Sequence, residues 1–161
     1  MQPHAATRRL LLATLAGTPL ALAWPGRARA AAPRLLVAKT PGCGCCEGWA
    51  EHLRAAGFAC EVSENPDLDA LKDELKVPAD LRSCHTATVA GYVVEGHVPA
   101  PAVRRLLVER PAVLGLAVPG MPAGSPGMPS ESPNTYAVTA FAADGGRTEF
   151  MRFVGETPAP A

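Results

Sequence analysis

Short apolar runs alternate with turn-rich breaks along most of the chain, and this punctuation sets out its elements. Arg34-Leu-Leu-Val-Ala-Lys39 is followed by Thr-Pro-Gly and predicts a buried strand. Glu47 to Ala56 places Trp49 and Leu53 on one helical face, with Gly57 as the C-terminal stop. Phe58, Cys60 and Val62 alternate with Ala59 and Glu61, the period of a second strand. Asn65-Pro66-Asp67 opens a second helix with Leu68, Leu71 and Leu75 as its buried stripe and Pro78 beyond its end. A third strand, Ala87 to Ala90, turns at Gly91 into an antiparallel fourth, Tyr92 to Glu95. A third helix runs from about Ala100 to Glu109, with Val103, Leu106 and Leu107 inward. Residues 115–135 predict a long irregular loop of Gly, Pro, Met and Ser. Tyr136 to Ala142 and Arg147 to Phe153 predict a hairpin around Asp144-Gly-Gly, and residues 154–161 a disordered tail.

The order β-α-β-α-β-β-α, with an added C-terminal β-hairpin, predicts a thioredoxin-like α/β fold over residues 34–153. In that arrangement the loop after the first strand faces the peptide entering the third. Cys84 is therefore expected beside Cys43, Cys45 and Cys46, although 38 residues separate it from Cys46.

The first thirty residues have a different character. A short basic start leads into a mostly apolar run, Leu10 to Ala23, too short to span a bilayer, and then to Ala28-Arg-Ala30. This predicts a secretory signal peptide over residues 1–30, in preference to an uncleaved anchor, and a periplasmic mature protein. Thr7-Arg-Arg-Leu10 suits the twin-arginine route as well as the ordinary one. The full chain has no net charge, but removal of Arg8, Arg9, Arg27 and Arg29 leaves 11 Lys and Arg against 15 Asp and Glu, a net of −4. Neither a nucleic-acid surface nor membrane association of the mature chain is expected. All five cysteines remain, an odd number that internal pairing cannot exhaust. In an exported compartment such cysteines are oxidised or bound to metal.

Cys43-Gly-Cys45-Cys46 stands where the first helix begins. Cys43 and Cys46 have dithiol spacing, and a helix N-terminus favours thiolate. Thiolates select soft metals: Cu(I) accepts two or three sulfurs and shares them between ions, whereas four sulfurs also suit tetrahedral zinc. With Cys84 the set becomes four sulfurs, favouring a thiolate-bridged multi-copper centre, with zinc as the weaker alternative. The rival readings are a thiol–disulfide oxidoreductase, with Cys43 attacking and Cys46 resolving, and purely structural cysteines. Thioredoxin-type exchange uses a cis-proline before the third strand, and no proline lies between Pro78 and Pro99. Cys60, on the apolar face of a predicted strand, reads as a core residue. His85, next to Cys84, and His97, in Gly-His-Val-Pro, are further candidate ligands. So are Met121 and Met128, whose thioethers suit Cu(I). His52 reads as a partly exposed surface residue, and Glu47, Glu51, Asp73 and Glu74 as solvated charges.

Four motifs carry a resemblance. Thr40-Pro-x-Cys43-Gly-Cys45-Cys46-x-x-Trp49, Leu81-Arg-Ser-Cys84-His85-Thr86-Ala, Gly91-Tyr-Val-Val-Glu-Gly-His97-Val-Pro99 and Gly115-Leu-Ala-Val-Pro-Gly-Met121-Pro-x-Gly-Ser-Pro-Gly-Met128 occur in this order. The chain resembles the CopG-type metal-binding proteins, a bacterial family long catalogued as a domain of unknown function and linked to copper resistance. It is distinct from the DNA-binding repressors that share the name. The resemblance spans about residues 34–153. It implies a thioredoxin-like fold, a periplasmic location and copper held by Cys43, Cys45, Cys46 and Cys84, with His85, His97, Met121 and Met128 in matching motifs. The expected function is a periplasmic Cu(I)-binding protein of copper tolerance, serving storage, transfer or redox conversion. Copper ions and other periplasmic copper-handling proteins are its expected partners.

Overall fold

The computed structural model describes residues 31–160; the signal peptide read from residues 1–30 lies outside the described residues. The described chain is mixed α/β: β1 (Arg34–Lys39), α1 (Gly44–Ala55), β2 (Ala59–Glu64), α2 (Leu68–Glu74), β3 (His85–Val89), β4 (Tyr92–Gly96), α3 (Ala100–Glu109), β5 (Gly115–Val118), β6 (Thr135–Phe141), β7 (Arg147–Val154) and β8 (Thr157–Pro158). A 3-10 turn at Ala79–Leu81 precedes β3. Among the described residues the strands form one sheet of eight, in the order β2-β1-β3-β4-β5-β6-β7-β8. β1 pairs parallel with β2 and antiparallel with β3, and β4 pairs antiparallel with β3 and parallel with β5.

Alternation along the strands divides the core between the two faces of the sheet. Leu35 and Val37 of β1, Ala87 and Val89 of β3 and Val94 of β4 pack with Trp49, Ala50 and Leu53 of α1 and Val103 and Leu106 of α3. The opposite parity, Val93, Ala117 and Phe141, packs with Val77 and Leu81 near α2. Leu36, between two buried neighbours, is 51% exposed on this second, more thinly covered face.

Several elements differ from their sequence-based expectation. The helix α1 begins three residues earlier than its apolar face indicates, so Cys45 and Cys46 lie in its first turn and Cys43 is its N-cap. Asp67, rather than Asn65, caps α2 by accepting from the Ala70 amide (3.3 Å), while Asn65 accepts from the Asp67 amide (3.0 Å). The buried positions of α2 are Leu68 and Lys72, not the Leu68, Leu71, Leu75 stripe, because Lys72 has partners inside the protein. Residues 115–135 are not one loop. Gly115–Val118 is a fully buried strand between β4 and β6, and Gly115 carries no side chain because a Cβ there would strike the Val93 carbonyl. The residues expected to fray instead complete β7 and form β8, where Val154 pairs with Thr157. No described helix is long and apolar enough to cross a membrane.

Candidate metal centre

The end of β1 delivers the chain into the turn Thr40–Gly42, whose shape is fixed from outside. Glu64, closing β2, accepts from the Gly42 amide (3.2 Å) and from Lys39 Nζ (3.1 Å). Those bonds hold its carboxyl below the usual range, the Gly42 contact foremost. Cys43, Cys45 and Cys46 then emerge at the N-terminus of α1, and the short connection into β3 brings Cys84 against them. Cys43 Sγ lies 3.5 Å from Cys45 Sγ, Cys45 Sγ 3.7 Å from Cys84 Sγ, and Cys46 Sγ 3.5 Å from Cys84 Sγ. Cys43 and Cys46 are joined by a disulfide, leaving Cys45 and Cys84 as thiols. Two-electron reduction of the disulfide by an external thiol would make all four sulfurs available as ligands.

These separations suit shared coordination. Metal–sulfur bonds of about 2.3 Å at tetrahedral angles place sulfurs about 3.7–3.8 Å apart, so the three non-bonded separations need little adjustment, whereas the disulfide-linked Cys43 and Cys46 sulfurs must part once reduced. The Cys84 thiol is pushed up to about 11, by burial first and then by Cys45, so without a metal it keeps its proton at neutral pH. A bound cation must displace that proton, as is general for cysteine ligands.

Two imidazoles extend the cluster. His97 Nε2 is 3.3 Å from Cys84 Sγ, and its Nδ1 is 2.7 Å from the Pro126 carbonyl. A carbonyl can only accept, so Nδ1 carries the proton and the Nε2 lone pair faces the sulfur, the arrangement typical of a metal-ligating histidine. His85 Nδ1 is 3.5 Å from the same sulfur. Its ring is fully buried against Trp49, with centroids 4.4 Å apart, and Nε2 has no hydrogen-bond partner. Burial, then the neighbouring His97 and Lys72, lowers the His85 pKa to about 3. Burial also lowers that of His97, partly opposed by its bond to Pro126. Both rings are thus kept neutral, the state in which imidazole can bind a metal.

The segment after β5 folds over this cluster. Ala123 and Asn134 clasp its two ends, the Ala123 amide donating to Asn134 Oδ1 and the Asn134 amide to the Ala123 carbonyl, each at 2.8 Å. Its centre rests on α1 at Gly127, where a Cβ would lie 2.3 Å from the Cys45 carbonyl and 2.7 Å from the Trp49 amide nitrogen. The segment brings Met121 Sδ to 4.0 Å from Cys45 Sγ, with the side chain 53% exposed at the rim. Met128 enters through its backbone, its carbonyl accepting from Gly124 (2.6 Å) and its amide donating to Ser125 (2.8 Å).

Cys43, Cys45, Cys46 and Cys84 therefore meet as expected, with His85, His97 and Met121 around them. Cys60 is remote in β2, partly buried against the main core, and burial raises its pKa. His52 does more than sit at the surface. Its Nε2 accepts from the Ala100 amide at the start of α3 (3.2 Å), and Nδ1 is 3.2 Å from Glu156. Sequence reasoning also missed the support beneath Cys84. Lys72 and Glu95, 2% and 0% exposed at their side chains, form an ion pair on the second face of the sheet. The available signals were Lys72 four residues after Leu68 on one helical face and Glu95 two residues after Val93 on one strand face.

Comparison with known proteins places this geometry in context. Residues 81–128 match the family model described as a protein of unknown function, DUF411. Among curated proteins no match is found. The solved structures of copper resistance protein CopG, form 1 and form 2, are 39% and 38% identical to this chain, each with a TM-score of 0.72. Each alignment covers 76% of this chain and 98% of the CopG chain. Motifs, fold and cysteine cluster lead to one assignment: the chain belongs to the CopG-type copper-resistance family.

Proposed function

We propose that the chain is a periplasmic copper-binding protein that holds Cu(I) as a thiolate-bridged multi-copper centre, after export through a signal peptide in residues 1–30. The observation that carries this reading is the convergence of four cysteine sulfurs from two separated segments, one of which, Cys84, also faces the lone pair of His97. We read the β2-β1-β3-β4 part of the sheet, with α1 and α3 on one face, as thioredoxin-like. Cys43, Cys45, Cys46 and Cys84 are the principal ligands. The neutral imidazoles of His97 and His85 supply nitrogen on the buried side, and Met121 supplies a soft sulfur on the solvent side. Copper is the cargo. An external dithiol opens the Cys43–Cys46 disulfide by exchange, becoming a disulfide itself while Cys43 and Cys46 become thiols. The cysteines, Cys84 among them, release their protons to solvent as the ion arrives. Thiolate and thioether sulfurs together are soft donors that suit Cu(I).

Anaerobic titration of the reduced protein should show more than one Cu(I) per chain. A stoichiometry of one or none, or zinc retained in preference to copper, would refute the multi-copper reading. One observation favours a second role: the Cys43–Cys46 disulfide is the product expected of a dithiol oxidoreductase. Reduction of insulin by the metal-free protein separates the two. Turnover above the background of free thiol would support the oxidoreductase reading, and the absence of a proline between Pro78 and the start of β3 argues against it.

A further inference from the structure

Cys84 sits on a short connection, Arg82–Cys84, with no regular structure to hold it. Its fixed position comes from below. Glu95 Oε1 accepts the Ser83 amide at 2.6 Å, and Lys72 Nζ donates to the Ser83 carbonyl at 3.0 Å. The two charges pair directly, and Thr86 Oγ1 closes the ring, accepting from Lys72 (2.9 Å) and donating to Glu95 Oε2 (2.6 Å). Lys72 thus has three acceptors, and both Glu95 oxygens are engaged. Such satisfaction is what a buried pair needs if it is not to cost more than it returns. Ser83 has one group left, Oγ, which donates to the Gly120 carbonyl at 2.7 Å and lies 3.9 Å from Cys84 Sγ. Gly120 immediately precedes Met121. The fit is tight: a Cβ on Gly96 would lie 2.6 Å from Ser83 Cβ and 2.5 Å from the Val118 carbonyl.

Resting on the copper-binding reading above, we propose that Lys72 and Glu95 are positioning residues for the metal centre: through both backbone groups and the hydroxyl of Ser83 they set where Cys84 and Met121 present their sulfurs. The pair touches no ligand sulfur itself. It registers two sulfur-bearing loops, one before β3 and one after β5, against a single point.

The test uses the full chain, reduced and metal-free under anaerobic conditions, with Cu(I) supplied from a chromogenic chelator. The variant K72M/E95L replaces the pair by apolar groups, which avoids leaving one charge buried alone. With far-UV circular dichroism matching the parent, it should bind Cu(I) at least tenfold more weakly, a loss in the range for supporting residues around metal ligands. X-ray absorption should show fewer sulfurs per copper, and Cys84 in the metal-free variant should be alkylated faster. A general loss of stability would lower the melting temperature without changing the copper spectrum of the folded protein. A folded double variant equal to the parent in affinity, sulfur number and alkylation rate overturns the inference. If the double variant does not fold, S83A decides, since it leaves the buried pair in place and removes the hydroxyl that reaches the Gly120 carbonyl and lies 3.9 Å from Cys84 Sγ. A change in copper spectrum supports the proposal, and identity with the parent overturns it. If the parent takes up no Cu(I), the copper reading fails, and the Cys84 alkylation rate alone judges the positioning claim.

Discussion

His97 Nε2 lies 3.3 Å from Cys84 Sγ while the opposite ring nitrogen is held 2.7 Å from the Pro126 carbonyl. One loop thus selects the tautomer that aims a lone pair at a sulfur supplied by another. His97→Phe keeps an aromatic ring, somewhat larger, and removes both nitrogens. It should weaken Cu(I) binding by about ten- to a hundredfold with the stoichiometry of the cysteine set retained, as read by chelator competition.

Cys84→Ser should sharply lower the number of Cu(I) bound, because Cys84 supplies the sulfur that the second segment brings within 3.7 Å of both Cys45 and Cys46. Cys60→Ala, remote in β2, should leave that number unchanged. Parallel anaerobic titrations compare the two, and equal losses would refute the division of the cysteines into four plus one.

Breaking the buried ion pair on one side should cost far more than replacing it. Lys72→Met leaves the Glu95 carboxylate without its cation and should destabilise the fold by about 3–5 kcal/mol, whereas the paired apolar replacement should be near neutral. Urea unfolding of the parent, the single variant and the double variant supplies the comparison.

Gly127 has φ +83° and lies against the Cys45 carbonyl. Gly127→Ala combines strain in the left-handed region with overpacking and should cost about 1–3 kcal/mol. By moving Pro126 away from His97 it should also alter copper affinity. An unchanged copper titration would mean that the segment is not needed to orient the histidine.

Asp80 is paired with Arg147 of β7, and the hydrogen bonds from Arg147 hold its carboxyl below the ordinary range. Because the folded value is depressed, the pair contributes above the ordinary Asp range near pH 4, and that contribution disappears as pH falls through the lowered value. The difference in melting temperature between the parent and Asp80→Asn should therefore be small at neutral pH, as befits an exposed pair, and vanish in strong acid. Arg147→Ala should return the Asp80 titration, followed by NMR, toward the ordinary value.

The parts of the molecule legible in sequence were those with local signals. Arg34–Lys39 announces itself by an apolar run and a Gly/Pro break, and α3 by Pro99 before its first turn and Pro111 after its end. The meeting of Cys84 with the cysteine motif followed from strand order, since β3 pairs directly with β1. Strand β5 was hidden because four residues, Gly115–Val118, carry too short a pattern beside so many Gly and Pro. Lys72 and Glu95 were hidden for another reason. A charge is solvated by default, and nothing local marks two charges 23 residues apart as partners inside the protein. The disulfide was one of the readings the Cys43–Cys46 spacing allowed, and spacing alone could not choose it over two metal-bound thiolates.

The segment that follows β5 has a consequence for biogenesis. It seats the Pro126 carbonyl on His97 and Met121 beside Cys45, yet it is anchored through Asn134 to the start of β6. A chain synthesised amino end first on the ribosome presents Cys43 to Cys46 well before residues 121–134. During that interval the thiols are accessible without their cover. The finished centre is thus a late product of maturation, and a nascent or truncated chain would offer loose thiols rather than a defined metal pocket.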